Sequence, residues 1–247
     1  MNAFSRSFEF DERNLLAAVQ FVDGVTRLPV LCRVKVRADG LRILEKRNGQ
    51  VLVLAKDDVA DLAMVSTSCA ITCLPQDTAY LPRKAKISIP RKNDGTAASL
   101  FLPITIVLYP SVSYRCSGNL GGLLVTVSDA QGKRVRGAVV TLTPDGNSNL
   151  ASRSVSNAAG EALLLVSGAA VVHYAAGTHS ENIKATVERL FDDDAKTRVE
   201  NTPEAIAAAR AETFVTNPDD LLADAALIPR SDAVTFRAGR IQAWPPP

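Results

Sequence analysis

Polar and apolar residues alternate with a period of two along much of this chain. In "LPVLCRVKV", Val30, Cys32, Val34 and Val36 alternate with Leu31, Arg33, Lys35 and Arg37. A period of two puts one set of side chains inside and the other outside a half-buried strand. The stretch predicts a strand from Pro29 to Val36, preceded by a strand ending at Val22 and a polar turn at Asp23-Gly24. Within residues 1–18 and just beyond, "FDERNLLAAVQF" reads as a short helix or a strand entry, and a strand that joins the first sheet is the favoured reading. "LRILEKRNGQVLVLA" holds Asn48-Gly49 between two apolar runs, the strongest short-range hairpin signal. β-structure punctuated by proline continues over residues 57–92, and residues 91–98 read as a loop. "SLFLPITIVLYPSVSYRC" is rich in β-branched and aromatic residues but is broken at Pro103 and Pro110. Proline donates nothing to a ladder, so this strand belongs at a sheet edge.

"SGNLGG", residues 117–122, is polar and flexible and marks a linker between an N-terminal module, 1–116, and a C-terminal one, 123–247. In the second module "LLVTVSD", the turn "AQGK" and "RVRGAVVTLTP" predict one hairpin-like pair. "DGNSN" reads as a loop. "LASRSVS", the turn "NAAGE" and "ALLLVSG" predict another pair, and "AAVVHYAAG" a further strand. Residues 180–230 change character and predict a helical insertion. Thr202 is placed to cap a helix that opens on Pro203 and runs through "PEAIAAARAE". "NPDDLLADAAL" predicts a second short helix. "AVTFRAGRIQAW" returns to strand before the "PPP" end.

Laid side by side, the two modules share a pattern. Each has an aspartate after an apolar strand (Asp23, Asp129), then a turn, then an alternating strand. Each later has a Gly-polar step (Gly49, Gly160) into an apolar strand. The expectation is a mainly β protein of two tandem prealbumin- or immunoglobulin-like antiparallel β-sandwiches, with a short helical insertion in the second.

Composition narrows the function classes. The 247 residues are 47% hydrophobic and 22% charged, enough for a sizeable core. A net charge of +2 does not suggest a nucleic-acid binder. The basic clusters are short: Arg83, Lys84 and Lys86; Arg91 and Lys92; Lys133, Arg134 and Arg136. Each reads as a solvated strand or turn. The N-terminus lacks a basic stretch followed by an apolar run, so no signal peptide is expected. No run of about 18 apolar residues suggests a membrane span.

The candidate chemistry is sparse. Cys32, Cys69, Cys73 and Cys116 read as reduced, partly buried thiols. Cys69 and Cys73 would share a face of one strand, too far apart along it for a disulfide without a bend. His173 and His179, with Glu181 nearby, fit no zinc spacing. No G-x-S-x-G elbow and no phosphate loop is present. The carboxylates of "FDDDAK", residues 191–196, do not alternate as calcium ligands do. Trp244 beside "PPP" reads either as a polyproline contact or as an anchor for the tail. No catalytic, cofactor or metal residues are assigned, and no cofactor is expected.

The pattern "D-x-x-G-x-x-V-x-G-A-x-V … G-E", carried by Asp129, Gly132, Val135, Gly137, Ala138, Val140, Gly160 and Glu161, resembles carboxypeptidase regulatory-like domains. These are small prealbumin-like β-sandwiches, so the resemblance implies a fold more than a function. Enzymes of the prealbumin-like group are a poorer likeness. "YRCS", Tyr114 to Ser117, lacks the glycine of the "Y-R-G-S" tail of transthyretin-like hydrolases. The H-x-H iron ligands of intradiol dioxygenases are missing. Across residues 15–170 the layout resembles small proteins encoded with contractile, phage-tail-like injection systems. The carrying motifs are the steps Tyr80-Leu81-Pro82 and Tyr109-Pro110-Ser111 to Tyr114. That resemblance implies a non-enzymatic structural subunit at the cap or baseplate of a particle assembled in the cytoplasm. Its partners would be tube, sheath, cap or baseplate subunits, in multiple copies, with no nucleic acid and no membrane span. The alternative is a carbohydrate- or receptor-binding sandwich, against which the 5% aromatic content weighs.

Overall fold

A computed structural model describes residues 15–46, 49–55, 68–89, 102–115, 120–166 and 182–245. The protein is mainly β, with sixteen strands and two α-helices among the described residues. These residues divide into two compact units. One takes its residues from 1–22, 28–76 and 84–107, the other from 23–27, 77–83 and 108–247.

The strands of the N-terminal half are β1 (Leu15–Asp23), β2 (Val34–Ala38), β3 (Leu41–Glu45), β4 (Val51–Ala55), β5 (Ser68–Pro75), β6 (Arg83–Ser88) and β7 (Ile104–Leu108). They form a four-stranded sheet in the order β3-β4-β1-β7 and a three-stranded sheet in the order β2-β5-β6. Period-two patterning decides what is buried. Val34 and Val36 of β2, Ile71 and Cys73 of β5, and Ala85 and Ile87 of β6 all turn inward. The hairpin expected around Asn48-Gly49 is present: Leu41 to Glu45 pair antiparallel with Ala55 to Val51. Gly49 sits at φ +78°, a conformation glycine adopts without steric cost; Asn48 lies outside the described residues. β7 fits between Pro103 and Pro110 and is an outer strand of its sheet, as the prolines imply.

The strand expected from Pro29 starts instead at Val34. Pro29 has no N–H to continue a ladder and makes only an isolated bridge to Val22. The alternation itself extends back to Val30, which is buried, and Leu31, which is fully exposed.

The remaining strands are β8 (Gly121–Thr126), β9 (Arg134–Val135), β10 (Val139–Pro144), β11 (Ser152–Val155), β12 (Glu161–Val166), β13 (Asn182–Leu190), β14 (Arg198–Val199), β15 (Arg230–Arg237) and β16 (Ile241–Trp244). Helix α1 spans Pro203–Ala211 and α2 spans Pro218–Ala223. The sheets are β11-β10-β13-β15, β12-β8-β16 and the small ribbon β14-β9. Among the described residues the pairings within them are antiparallel except β16 on β8, which is parallel. The two larger sheets share one core, in which Leu123, Val125, Val140, Leu142, Leu164, Val187 and Phe236 are almost completely buried. Each such side chain contributes on the order of 1.5–3 kcal/mol by leaving water. The unit is a β-sandwich.

Of the two hairpins expected in this region, the first is present only as a short one, in which Ser128 bridges Arg134 and Val135 N donates to Val127 O at 2.9 Å, and the second is a corner between sheets. β8 pairs with β12, and β10 pairs with β11 and β13. The chain therefore passes from one sheet to the other between Val135 and Val139, and again at the turn at 157–160. Gly122 is what lets β12 come close to β8: a Cβ there would lie 2.1 Å from the Leu164 carbonyl oxygen. The helical insertion expected over 180–230 is shorter than that. Residues 182–190 are strand β13, whose buried Ile183, Ala185 and Val187 alternate toward the core. The helices occupy 203–211 and 218–223. Thr202 caps α1 as expected, its side chain accepting from Ala205 N at 3.3 Å.

Candidate functional site

Several polar groups of the second unit meet at Asp23. This carboxylate is 5% exposed. One oxygen accepts from the amides of Val25 at 2.6 Å and Thr26 at 2.9 Å, closing the turn after β1. The other accepts from the hydroxyls of Tyr80 and Tyr114, each at 2.7 Å. The two rings stand edge to face, centroids 5.9 Å apart. Burial pushes the Asp23 carboxyl up. The hydrogen bonds from Thr26, Tyr114, Tyr80 and Val25 outweigh that and hold it below the usual carboxylate range.

The tyrosines reach Asp23 because their segments run side by side. Tyr80 bridges Pro110, Leu81 N donates to Tyr109 O at 2.9 Å, and Ser111 N donates to Ala79 O at 2.8 Å. The Ser111 hydroxyl donates to Thr78 O. Thus "Y-L-P" and "Y-P-S…Y", far apart in sequence, are two sides of one ribbon. Arg83, at 4% exposure, extends it: its guanidinium lies 5.1 Å from the Tyr109 ring centroid and bonds Asp219 at 2.6 Å. An ionised phenol acceptor, a nucleophile or a vacant base is not what this arrangement supplies. It is a carboxylate saturated by donors.

A second set of ion pairs holds the helical segment. Asp129 Oδ1 accepts from Gln131 N and Lys133 N, each at 2.9 Å, and Oδ2 from Arg198 Nε at 2.8 Å. Burial raises the Asp129 carboxyl, and these donors together with the Arg198 charge lower it by more, to below the ordinary range. Glu161, 6% exposed, accepts from Arg134 at 3.3 Å and Arg210 at 2.5 Å. Lys133 pairs with Glu200 at 2.7 Å. Arg136 pairs with Glu212 at 3.1 Å, donates to Lys196 O, and lies 4.9 Å from the Phe214 ring centroid. Lys133 is exposed at its turn, as expected, whereas Arg134 and Arg136 are partly buried. All three reach across to residues 196–214.

The other residues singled out from sequence fall as follows. Asp129, Gly132 and Gly160 make turns, with both glycines at positive φ. Trp244 packs against the core with the Arg189 guanidinium 5.1 Å from its ring centroid, which is the anchoring role. Asp193 in "FDDDAK" pairs with Arg198 at 3.1 Å. Cys69 and Cys73 share β5, and burial raises the Cys69 thiol. Arg91, Lys92, Cys116, His173, His179 and Glu181 lie outside the described residues. Lys84 and Lys86 lie on the exposed face of β6.

Sequence reasoning did not find the Asp23–Tyr80–Tyr114 tie or the Glu161 pair, whose partners are 27 to 91 residues distant. The one available signal was that the two short tyrosine motifs stood out together.

Among the described residues no group of three or more His, Cys, Asp or Glu side chains is arranged to hold a metal ion. No described helix is long and apolar enough to cross a membrane. An open depression lined by Thr143, Asp145, Asn147, Ser148, Thr186 and Glu188 lies at the turn after β10. Comparison with protein-family models, curated proteins and solved structures finds no match to this chain.

Proposed function

We propose that this chain is a non-enzymatic structural subunit that works by docking other proteins, in a contractile phage-tail-like particle, at its cap or baseplate. Its two units are then tandem prealbumin-like β-sandwiches, the second of the carboxypeptidase regulatory-like kind. One observation carries the reading. The residues that bring the resemblance to mind, Tyr80 and Tyr109 to Tyr114, are used to lock a carboxylate and a ribbon in place. A chain that commits its conspicuous polar side chains to holding β-units in a fixed shape is suited to presenting surfaces. Shared core, saturated turns and a cross-linked helical segment favour such a block. Neighbours would dock on outer strands and exposed loops.

The test is fractionation of native lysate by size, followed by purification of whatever large assembly contains this chain. A particle holding it in fixed copy number is the expected result. Recovery only as a stable monomer, in no large assembly, refutes the proposal.

A further inference from the structure

Strand β15 is an outer strand of the β11-β10-β13-β15 sheet, and its neighbours fix which of its backbone groups face away from that sheet. In the β10–β13 pair, Asp145 N donates to Lys184 O at 2.9 Å, so Lys184, Thr186 and Glu188 turn their backbone groups to β10. Ile183, Ala185, Val187 and Arg189 then turn theirs to β15, where they oppose Phe236, Val234, Asp232 and Arg230. The alternate residues Ser231, Ala233 and Thr235 therefore point their N–H and C=O groups off the edge. All three are exposed, and none has a further hydrogen bond among the described residues. The edge ends at Arg237, whose carbonyl accepts from Arg240 N at 3.4 Å as the chain turns toward β16.

Brevity, proline or a bulge normally blunts such an edge. β11 and β16 have four residues each, and β7 lies between Pro103 and Pro110. β15 has eight, the most of any outer strand among the described residues. Its register on β13 is unbroken from Arg230 to Arg237, with no proline inside it. The residues along β15 also match a second copy of themselves. Two such strands set antiparallel, with Ala233 facing Ala233 on a two-fold axis, put Ser231 against Thr235, Asp232 against Val234 and Arg230 against Phe236. No charge then faces a like charge. The three pairs of outward residues exchange two backbone hydrogen bonds each. Carried past the strand ends, the register brings Ile228, 85% exposed, to Ala238 of the other copy. A shift of two residues either way sets an outward residue against Pro229, which has no N–H, or against Arg237, whose carbonyl is engaged.

We infer that β15 pairs antiparallel with β15 of a second copy of this chain, joining their two four-stranded sheets into one continuous sheet. The same edge is used by both copies, so the contact is isologous and association through it stops at a dimer. The inference names one outer strand through which the chain docks; it deepens the subunit reading and rests on its premise that the chain works by docking.

The test is sedimentation velocity of the purified full-length chain over a range of concentrations. A monomer–dimer equilibrium is expected. A233P removes an outward N–H at the axis and leaves the bonds to β13 in place, and it should weaken the dimer at least about tenfold. A233K and A233D each set like charges opposite one another at the axis and should each weaken it severalfold. An equimolar mixture of these two brings opposite charges face to face and should restore the dimer. Both substitutions fall at an exposed position, so they decide the matter if A233P does not fold. A monomer at every concentration, a dimer indifferent to these substitutions, or no recovery on mixing overturns the inference. So does capture of a different particle subunit on the β15 edge by a chain that is monomeric when pure. If the chain is monomeric when pure yet present in a particle at fixed copy number, this inference fails and the subunit reading stands. A dimer with the expected variant effects and no particle gives the reverse.

Discussion

Replacing Asp23 by alanine tests whether the tie described above stabilises the second unit. The carboxylate receives four hydrogen bonds. The Val25 and Thr26 amides sit in an accessible turn and take water in exchange, so most of their contribution is recovered. The Tyr80 and Tyr114 hydroxyls are half-buried donors to a charged acceptor, at 2.7 Å each. At about 1.5 kcal/mol per charge-assisted bond, D23A should cost about 3 kcal/mol. That corresponds to a drop in Tm of roughly 6–12 °C for a chain of this size. Y80F and Y114F should each cost about half as much, and their sum should fall short of additive because they share an acceptor. The assay is urea unfolding followed by the fluorescence of Trp244, the single tryptophan, which packs on the core of the same unit. The pH dependence has a definite sign. Asp23 titrates lower in the folded chain than in the unfolded one. Its contribution is therefore present above the unfolded value of about 4 and fades as pH falls through the folded value. The gap between wild type and D23A should close below about pH 4. An unchanged urea midpoint for D23A at neutral pH, or a gap that persists into acid, refutes the reasoning.

Three further outcomes follow from geometry. G122A forces a Cβ to within 2.1 Å of the Leu164 carbonyl oxygen. It should cost roughly 3 kcal/mol or more and lower the yield of folded protein, measured by urea midpoint and soluble expression. E161A removes the common partner of Arg134 and Arg210 and should cost roughly 2–4 kcal/mol, whereas R210A, at an exposed position, should change stability by less than about 1 kcal/mol. T202A deletes the cap of α1 and should cost about 1 kcal/mol, with faster amide exchange confined to the first turn of that helix.

The period-two pattern made the strands legible, and glycine and proline marked where they end. Asp129, Gly132 and Gly160 were readable as turn residues because a turn is settled within a few positions. What those turns connect was not readable. At 157–160 a hairpin and a corner between sheets have the same local grammar, and only the distant partners of β11 and β12, which are β10 and β8, tell them apart. The polar ties were hidden for the same reason. Nothing near Asp23 signals Tyr114, 91 residues on, and nothing near Glu161 signals Arg210. β13 was missed because its alternating Ile183, Ala185 and Val187 lie among charged residues, which lowered its apolar signal. The exposed cations of the β2-β5-β6 sheet were likewise divided in sequence between residues 33–37 and 84–86. Alternation put each cluster outward, but only sheet order, with β5 between, brought them to one surface.

The second unit is drawn from three stretches, the first at 23–27 and the last ending with β16 at Trp244. A ribosome makes the chain in one direction, so Asp23 emerges long before either tyrosine, and β8 long before its parallel partner β16. Until β16 has been made, the β8 edge that it covers is open, and a cell making this protein must shield that edge.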